Sequence, residues 1–178
     1  MGHSSVNLAT RYQLLNAMGV SQWLSKAPHS SSFLLSETPL FCAPCLVILP
    51  EKIPQAEVEQ NKIFIGMLKV LMLSPEELAI VWVRNGLLMN QYPYVGLEIA
   101  KWAPCHILIM GEKLSQNILG TEQTFDQLRI DFQRIVGVEG LVQVTYHPAE
   151  LQKAPEHKGK AYRDLLRLKE KLLTVREP

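Results

Sequence analysis

The sequence predicts an α/β fold, a three-layer α/β/α sandwich with a central, mainly parallel sheet. Short apolar runs of strand length occur at Leu46–Leu49, Leu78–Val83, His106–Met110 and Leu141–Thr145. Segments with helical spacing separate them, and alternation of this kind is how a parallel sheet with crossover helices reads in sequence. No internal repeat is present.

At 178 residues the chain is long enough for one domain with an appended segment. A domain of that size buries roughly 70% of the surface it exposes unfolded, so a core forms without disulfide or metal staples. The 18 basic and 17 acidic residues leave a net charge of +1, which argues against a protein whose main task is gripping phosphates. Cys42, Cys45 and Cys105 make an odd count, and the opening residues have no apolar signal core. The absence of a run of 18 apolar residues adds that nothing spans a membrane, and together these features predict a cytoplasmic protein.

In order along the chain, residues 10 to 24 predict a short helix with Leu14, Leu15 and Met18 on one face and Gly19 at its end. About ten residues are marginal alone, so this helix needs something to pack on. The Ser/Pro-rich stretch that follows reads as a linker, giving an N-terminal peptide over 1–25, a linker over 26–44 and an α/β body over 45–178.

Within the body, Leu46–Leu49 predicts the first strand, and Phe64, Leu68 and Leu71 carry a helix over 61–72. Ser74-Pro75 with Glu77 is a helix-start signature that runs at once into the second strand, Leu78–Val83. A helix over 94–102 stops at Pro104. The third strand then leads into a helix that Gly120 ends, the fourth strand is Leu141–Thr145, and a last helix spans about 155–173.

Cys42-Ala-Pro-Cys45 is a CxxC before an apolar strand, where no helix start lowers a thiol pKa. With Cys105 it offers three thiols and no fourth, so neither an iron–sulfur cluster nor another metal or cofactor is expected, and the cysteines read as buried or half-buried and inert. The basic residues of the last helix, Lys153 to Arg176, are interleaved with acids and read as a solvated face, with weak contact to passing DNA as the alternative.

From His106 the chain reads Ile-Leu-Ile-Met-Gly, then Leu128-Arg129, then Val144-Thr-Tyr-His-Pro-Ala-Glu-Leu151, then a long helix with Ala161-Tyr162 and Asp164-Leu165. This order resembles the C-terminal half of the uracil-DNA glycosylase superfamily, especially its small bacterial branch. The resemblance implies that fold, with His147 matching the histidine that polarises a uracil carbonyl beside a flipped-out nucleotide. Taken alone, a His-Pro after a strand is more often a turn with a satisfied imidazole. The first half departs from the family. Where its pattern is a Gly-Glu-x-Pro-Gly type of loop, this chain has Leu49-Pro50-Glu51-Lys52-Ile53-Pro54. Glu51 remains, but both glycines are gone, two prolines remove N–H donors, and Lys52 and Ile53 crowd the space for a base. Glu51 and His147 are therefore expected to be a vestigial base pocket with no catalytic residue.

Arg11-Tyr-Gln-Leu-Leu-Asn-Ala-Met-Gly-Val-Ser-Gln-Trp23 resembles the N-terminal peptide of the psi subunit of bacterial DNA polymerase III holoenzyme. Met67-Leu-Lys-Val-Leu-Met-Leu-Ser-Pro-Glu-Glu-Leu78 looks like that family's helix, Ser-Pro cap and strand, and psi subunits are a reduced form of the same sandwich. This chain is longer than the short psi forms. The resemblance implies a non-catalytic bridge. Gln13, Leu14, Met18, Val20, Gln22 and Trp23 would enter the collar of the clamp-loader ATPase subunits, and the body would bind the chi subunit. Chi in turn holds the single-stranded-DNA-binding protein, so DNA contact is weak or indirect. The alternatives are an active uracil-DNA glycosylase, a domain that binds another partner through the same helix, and a helix that packs back on its own domain.

Overall fold

The computed structural model describes residues 34–36, 44–74, 77–83 and 92–176, all within the compact unit Phe33–Pro178. Among the described residues five strands form one sheet: β1 Leu34–Ser36, β2 Cys45–Leu49, β3 Leu78–Val83, β4 His106–Met110 and β5 Leu141–Thr145, in the order β1-β3-β2-β4-β5. The pairs β2/β3, β2/β4 and β4/β5 are parallel, so four strands make an all-parallel centre, and β1 lies antiparallel on β3 at the edge. The expectation of a mainly parallel α/β sheet is met.

Every residue of β2 and of β4 is buried, as a parallel strand covered on both faces requires. Alternate residues serve two cores. Leu46 and Ile48 point to a core with Val95, Ile99, Leu114 and Ile118, while Cys45, Val47 and Leu49 join Met67, Leu71, Leu165 and Leu168. Helices α2 (Tyr92–Trp102) and α3 (Glu112–Leu119) supply the first core, α1 (Val58–Leu71) and α6 (Lys158–Arg176) the second, so helices cover both faces. Each fully buried leucine or isoleucine contributes about 1.5–3 kcal/mol relative to exposure, which makes this two-sided burial the main source of stability.

Three elements differ from expectation. Leu34–Ser36 lies inside the stretch read as a linker, yet pairs with β3 in the register Leu34↔Val83 to Ser36↔Val81. A three-residue strand has no period of its own, and the open edge of β3 supplies its ladder. Helix α4 (Phe125–Ile130) is too short for a helical period, but its start is written in a capping box: Thr124 accepts from the Gln127 N–H, and the Gln127 side chain accepts from the Thr124 N–H at 3.0 Å. Helix α5 (Pro148–Lys153) and a 3-10 turn at Pro155–His157 precede α6, so the last helix begins at Lys158 rather than near Pro155.

The helix over 61–72 starts earlier, at Val58, and closes through Met72 in the left-handed region at φ 53. Ser74 behaves as its signature predicts: its N–H donates to the Glu77 carboxylate at 2.8 Å. Among the described residues no helix is long and apolar enough to cross a membrane.

Candidate functional site

In an open parallel sheet, ligands bind beyond the carboxyl ends of the strands where the chain changes direction across the sheet. Here β2 leads outward to β3 and the chain then returns to β4 on the other side of β2, so that point falls between β2 and β4. Glu51 follows β2, Gly111 follows β4 and His147 follows β5, which brings three segments far apart in sequence to one edge.

Gly111 is the N-cap of α3 and has φ 109, a conformation L side chains rarely adopt. Its N–H donates to the Thr145 carbonyl at 2.8 Å, and a Cβ built on it would lie 3.7 Å from the His147 Cβ. Strand β4 thus ends in a turn whose backbone runs directly beside the histidine.

His147 is the N-cap of α5. Its Nδ1 accepts from the Ala149 N–H at 3.2 Å, and its own N–H donates to Glu150 at 2.8 Å. An accepting Nδ1 puts the proton of a neutral imidazole on Nε2. That Nε2 is buried and has no hydrogen-bond partner. Burial lowers the imidazole pKa from its ordinary 6.5, with the Glu51 carboxylate pulling the other way. The imidazole is therefore half-satisfied: one nitrogen caps a helix, and the other offers a buried N–H to an acceptor such as a carbonyl oxygen.

The connection after β2 is pinned at both ends. Ile53 is buried in the second core with Leu49, Met110 and Tyr146. The Pro54 carbonyl accepts from the Glu57 N–H at 3.0 Å and from Asn61 Nδ2 at 2.8 Å, which ties the loop to α1. Lys52 Nζ stands 5.3 Å from the centre of the Trp82 ring. Pro50 and Pro54 carry no N–H, so neither can donate toward a ligand.

Beneath this edge lies an ion network that sequence spacing does not reveal. Arg129 Nε and Nη2 donate to Asp164 at 2.8 and 3.1 Å, Nη1 donates to Asp126 at 2.8 Å, and the guanidinium carbon sits 4.5 Å from the Tyr146 ring centre. Asp164, fully buried, also accepts from Thr145 Oγ1 at 3.0 Å and Arg167 Nη2 at 2.7 Å. Arg167 further donates to the carbonyls of Ile130 and Arg129. Burial pushes the Asp164 carboxyl up, against the opposing pull of Arg129, Thr145 and Arg167. Arg167, read from sequence as part of a solvated basic face, is a structural tie between α6 and α4. The Arg129 partner Asp164 stands 35 residues away along the chain, and only the fold brings them together.

Of the expected site residues, Glu51 and His147 meet at one edge. Gln13, Leu14, Met18, Val20, Gln22, Trp23 and Cys42 lie outside the described residues. Cys45 is buried on β2 and its thiol is pushed up to about 12, the mark of an inert thiol. Cys105, expected to be buried or half-buried, is exposed because it precedes β4 rather than joining it. An open cavity of about 560 Å3 lies at the opposite edge of the sheet, lined by Ala100, Pro104, Cys105, Val138, Glu139 and Gly140. Gly111 is the site residue to which the sequence reading assigned no role; its place, directly after an apolar strand and before a helix, is the available signal. No protein-family model matches the chain, and no curated protein matches it.

Two buried histidines give the fold a pH dependence. His106, 4% exposed at the start of β4, is lowered by burial as His147 is. Below pH 6.5 the unfolded chain takes up protons that these imidazoles resist in the folded state, so stability is full above that value and falls as pH drops toward the depressed folded values. Urea midpoints measured between neutral and mildly acidic pH should decline, and the double variant His106→Gln/His147→Asn should flatten the decline.

Proposed function

We propose that this chain is a non-catalytic, psi-like accessory subunit of the bacterial replicative DNA polymerase III holoenzyme. In this reading its body is a uracil-DNA-glycosylase-like sandwich, its N-terminal helical peptide enters the clamp-loader collar, and the body binds the chi subunit and through it the single-stranded-DNA-binding protein. The observation that carries the non-catalytic half is the loop after β2. Ile53 is buried in the core and the Pro54 carbonyl is bonded to α1, and the loop has no glycine and two prolines without an N–H, which leaves it tied down and short of donors for closing around a base. The adaptor half rests on the N-terminal resemblance: a short apolar segment ending in Trp gains structure by folding on a partner, and Trp is a common anchor in such interfaces.

Co-purification from the native cytoplasm should bring clamp-loader subunits with the chain. Trp23→Ala should weaken collar binding by about 2 kcal/mol or more while leaving the folded body unchanged. Unaltered affinity in a titration would remove the assignment.

A second reading, a glycosylase-type base-excision repair enzyme, is favoured by one observation, the buried unpartnered Nε2–H of His147 beside the Gly111 turn. It predicts alkali-labile sites in uracil-containing DNA that disappear with His147→Ala. The adaptor reading predicts none with either protein.

A further inference from the structure

The first side chain of β4 sits in the core with its polar atoms unused. His106 is 4% exposed, and neither Nδ1 nor Nε2 has a hydrogen-bond partner. It stands two residues before Leu108 and four before Met110, which places it on the face that carries the second core. Its neighbours in register are Cys45 on β2, a buried thiol pushed up to about 12, and Leu141 on β5. Neither exchanges a proton near neutral pH. From α6 the Lys171 carbonyl draws the imidazole proton without completing a hydrogen bond, and the Lys171 ammonium opposes a second positive charge. An apolar residue would fill the position at lower cost, since buried polar atoms without partners are destabilising.

Helix α6 is held to the body in two different ways. Its first half is locked by buried charge: Arg129 and Thr145 donate to Asp164, and Arg167 donates to the carbonyls of Arg129 and Ile130. Beyond Arg167 the attachments are Leu168 and Leu172 in the second core, Lys169 at the Met72 sulfur, and Lys171, whose Nζ stands 6.0 Å from the Phe132 ring centre. A cation at His106 would be buried beside the Lys171 ammonium, and among the described residues no carboxylate acts on it. Water reaches the imidazole at the smallest cost when the last turns of α6 lift, because two leucines hold them rather than the ion network.

We propose that α6 from Leu168 to Arg176 is an acid-released latch: a proton taken up by His106 frees these turns from the start of β4, while the sheet and the ion-locked half of α6 stay folded. Release uncovers Leu168, Leu172 and the His106 end of the sheet. The latch is a local opening, distinct from the global loss of stability in acid, and it does not depend on the adaptor reading.

Hydrogen exchange of the full chain, read by mass spectrometry at pH 7 and pH 5 and corrected for intrinsic rates, tests it. In the released state the imidazole titrates at its ordinary 6.5, so opening gains up to about tenfold per pH unit below that value and nothing above it. Protection over residues 168–176 should fall about fivefold or more between pH 7 and pH 5. At pH 5 it should be insensitive to low urea, the mark of an opening that exposes little surface. His106→Phe should keep or raise the thermal midpoint at pH 7 and abolish the fall over 168–176, a pair of results that a misfolded variant cannot produce. Protection over 168–176 that ignores pH, or a urea dependence there as steep as that of β4, would overturn the proposal. So would an acid response that survives in His106→Phe, or a His106→Phe chain that is unfolded at pH 7.

Discussion

Arg129→Ala should lower the unfolding free energy by about 3–5 kcal/mol, read as a fall in the urea midpoint and a drop in thermal midpoint of roughly 10 °C. The size comes from what remains after the substitution. Asp164 is fully buried and accepts two hydrogen bonds from Arg129. With Arg129 gone, the carboxylate keeps Thr145 and the partly exposed Arg167, and loses the donor that faces it from inside the core. An uncompensated buried charge is the costly state, so removing both partners should hurt less than removing one. The double variant Arg129→Met/Asp164→Leu should therefore recover a large part of the loss. A double variant as unstable as the single one would mean that packing against Tyr146 and Phe125, rather than charge, carries the effect.

Gly140→Ala should cost about 3 kcal/mol, near the upper end of ordinary overpacking. Its Cβ would lie 2.4 Å from the Pro104 carbonyl oxygen and 3.1 Å from that of Cys105. Both neighbours are main chain, so no rotamer change relieves the overlap. The turn before β5 must move away from the start of β4, against the register His106↔Leu141 that joins the two strands. Gly159→Ala is the control: a Cβ there meets nothing within 4 Å, and the exchange should be neutral or slightly stabilising. Urea denaturation of the two variants in parallel compares them directly, and equal stability of Gly140→Ala and the parent would show that the turn yields without cost.

Much of the body was legible before the structure. The four parallel strands fall on the apolar runs that announce them; β2 and β4, buried at every residue, are apolar almost throughout, and β3 alternates buried with half-buried residues, patterns that show in a local window. Gly120, with φ 62, ends α3 where its lack of a side chain says it should. The elements missed are those whose signal is shorter than a period: the three residues of β1 and the six each of α4 and α5. In the site, His147 and Glu51 stand out by motif order; Lys52 and Ile53, expected to crowd the space for a base, are placed over the Trp82 ring and in the second core. The tautomer of His147 and the left-handed turn at Gly111 that fixes its surroundings had no sequence signal strong enough to place them.

The sequence by itself determined which segments become strands and helices and which of their faces are apolar, because these follow from periodicity and from caps a few residues long. Only the tertiary structure decided that β2 sits in the middle, that Glu51, Gly111 and His147 share an edge, that Arg129 meets Asp164, and that Gly140 passes against Pro104. Each of these depends on where distant segments come to rest when both faces of one sheet are covered, and that contact is set by the packing of the whole chain rather than by any window along it.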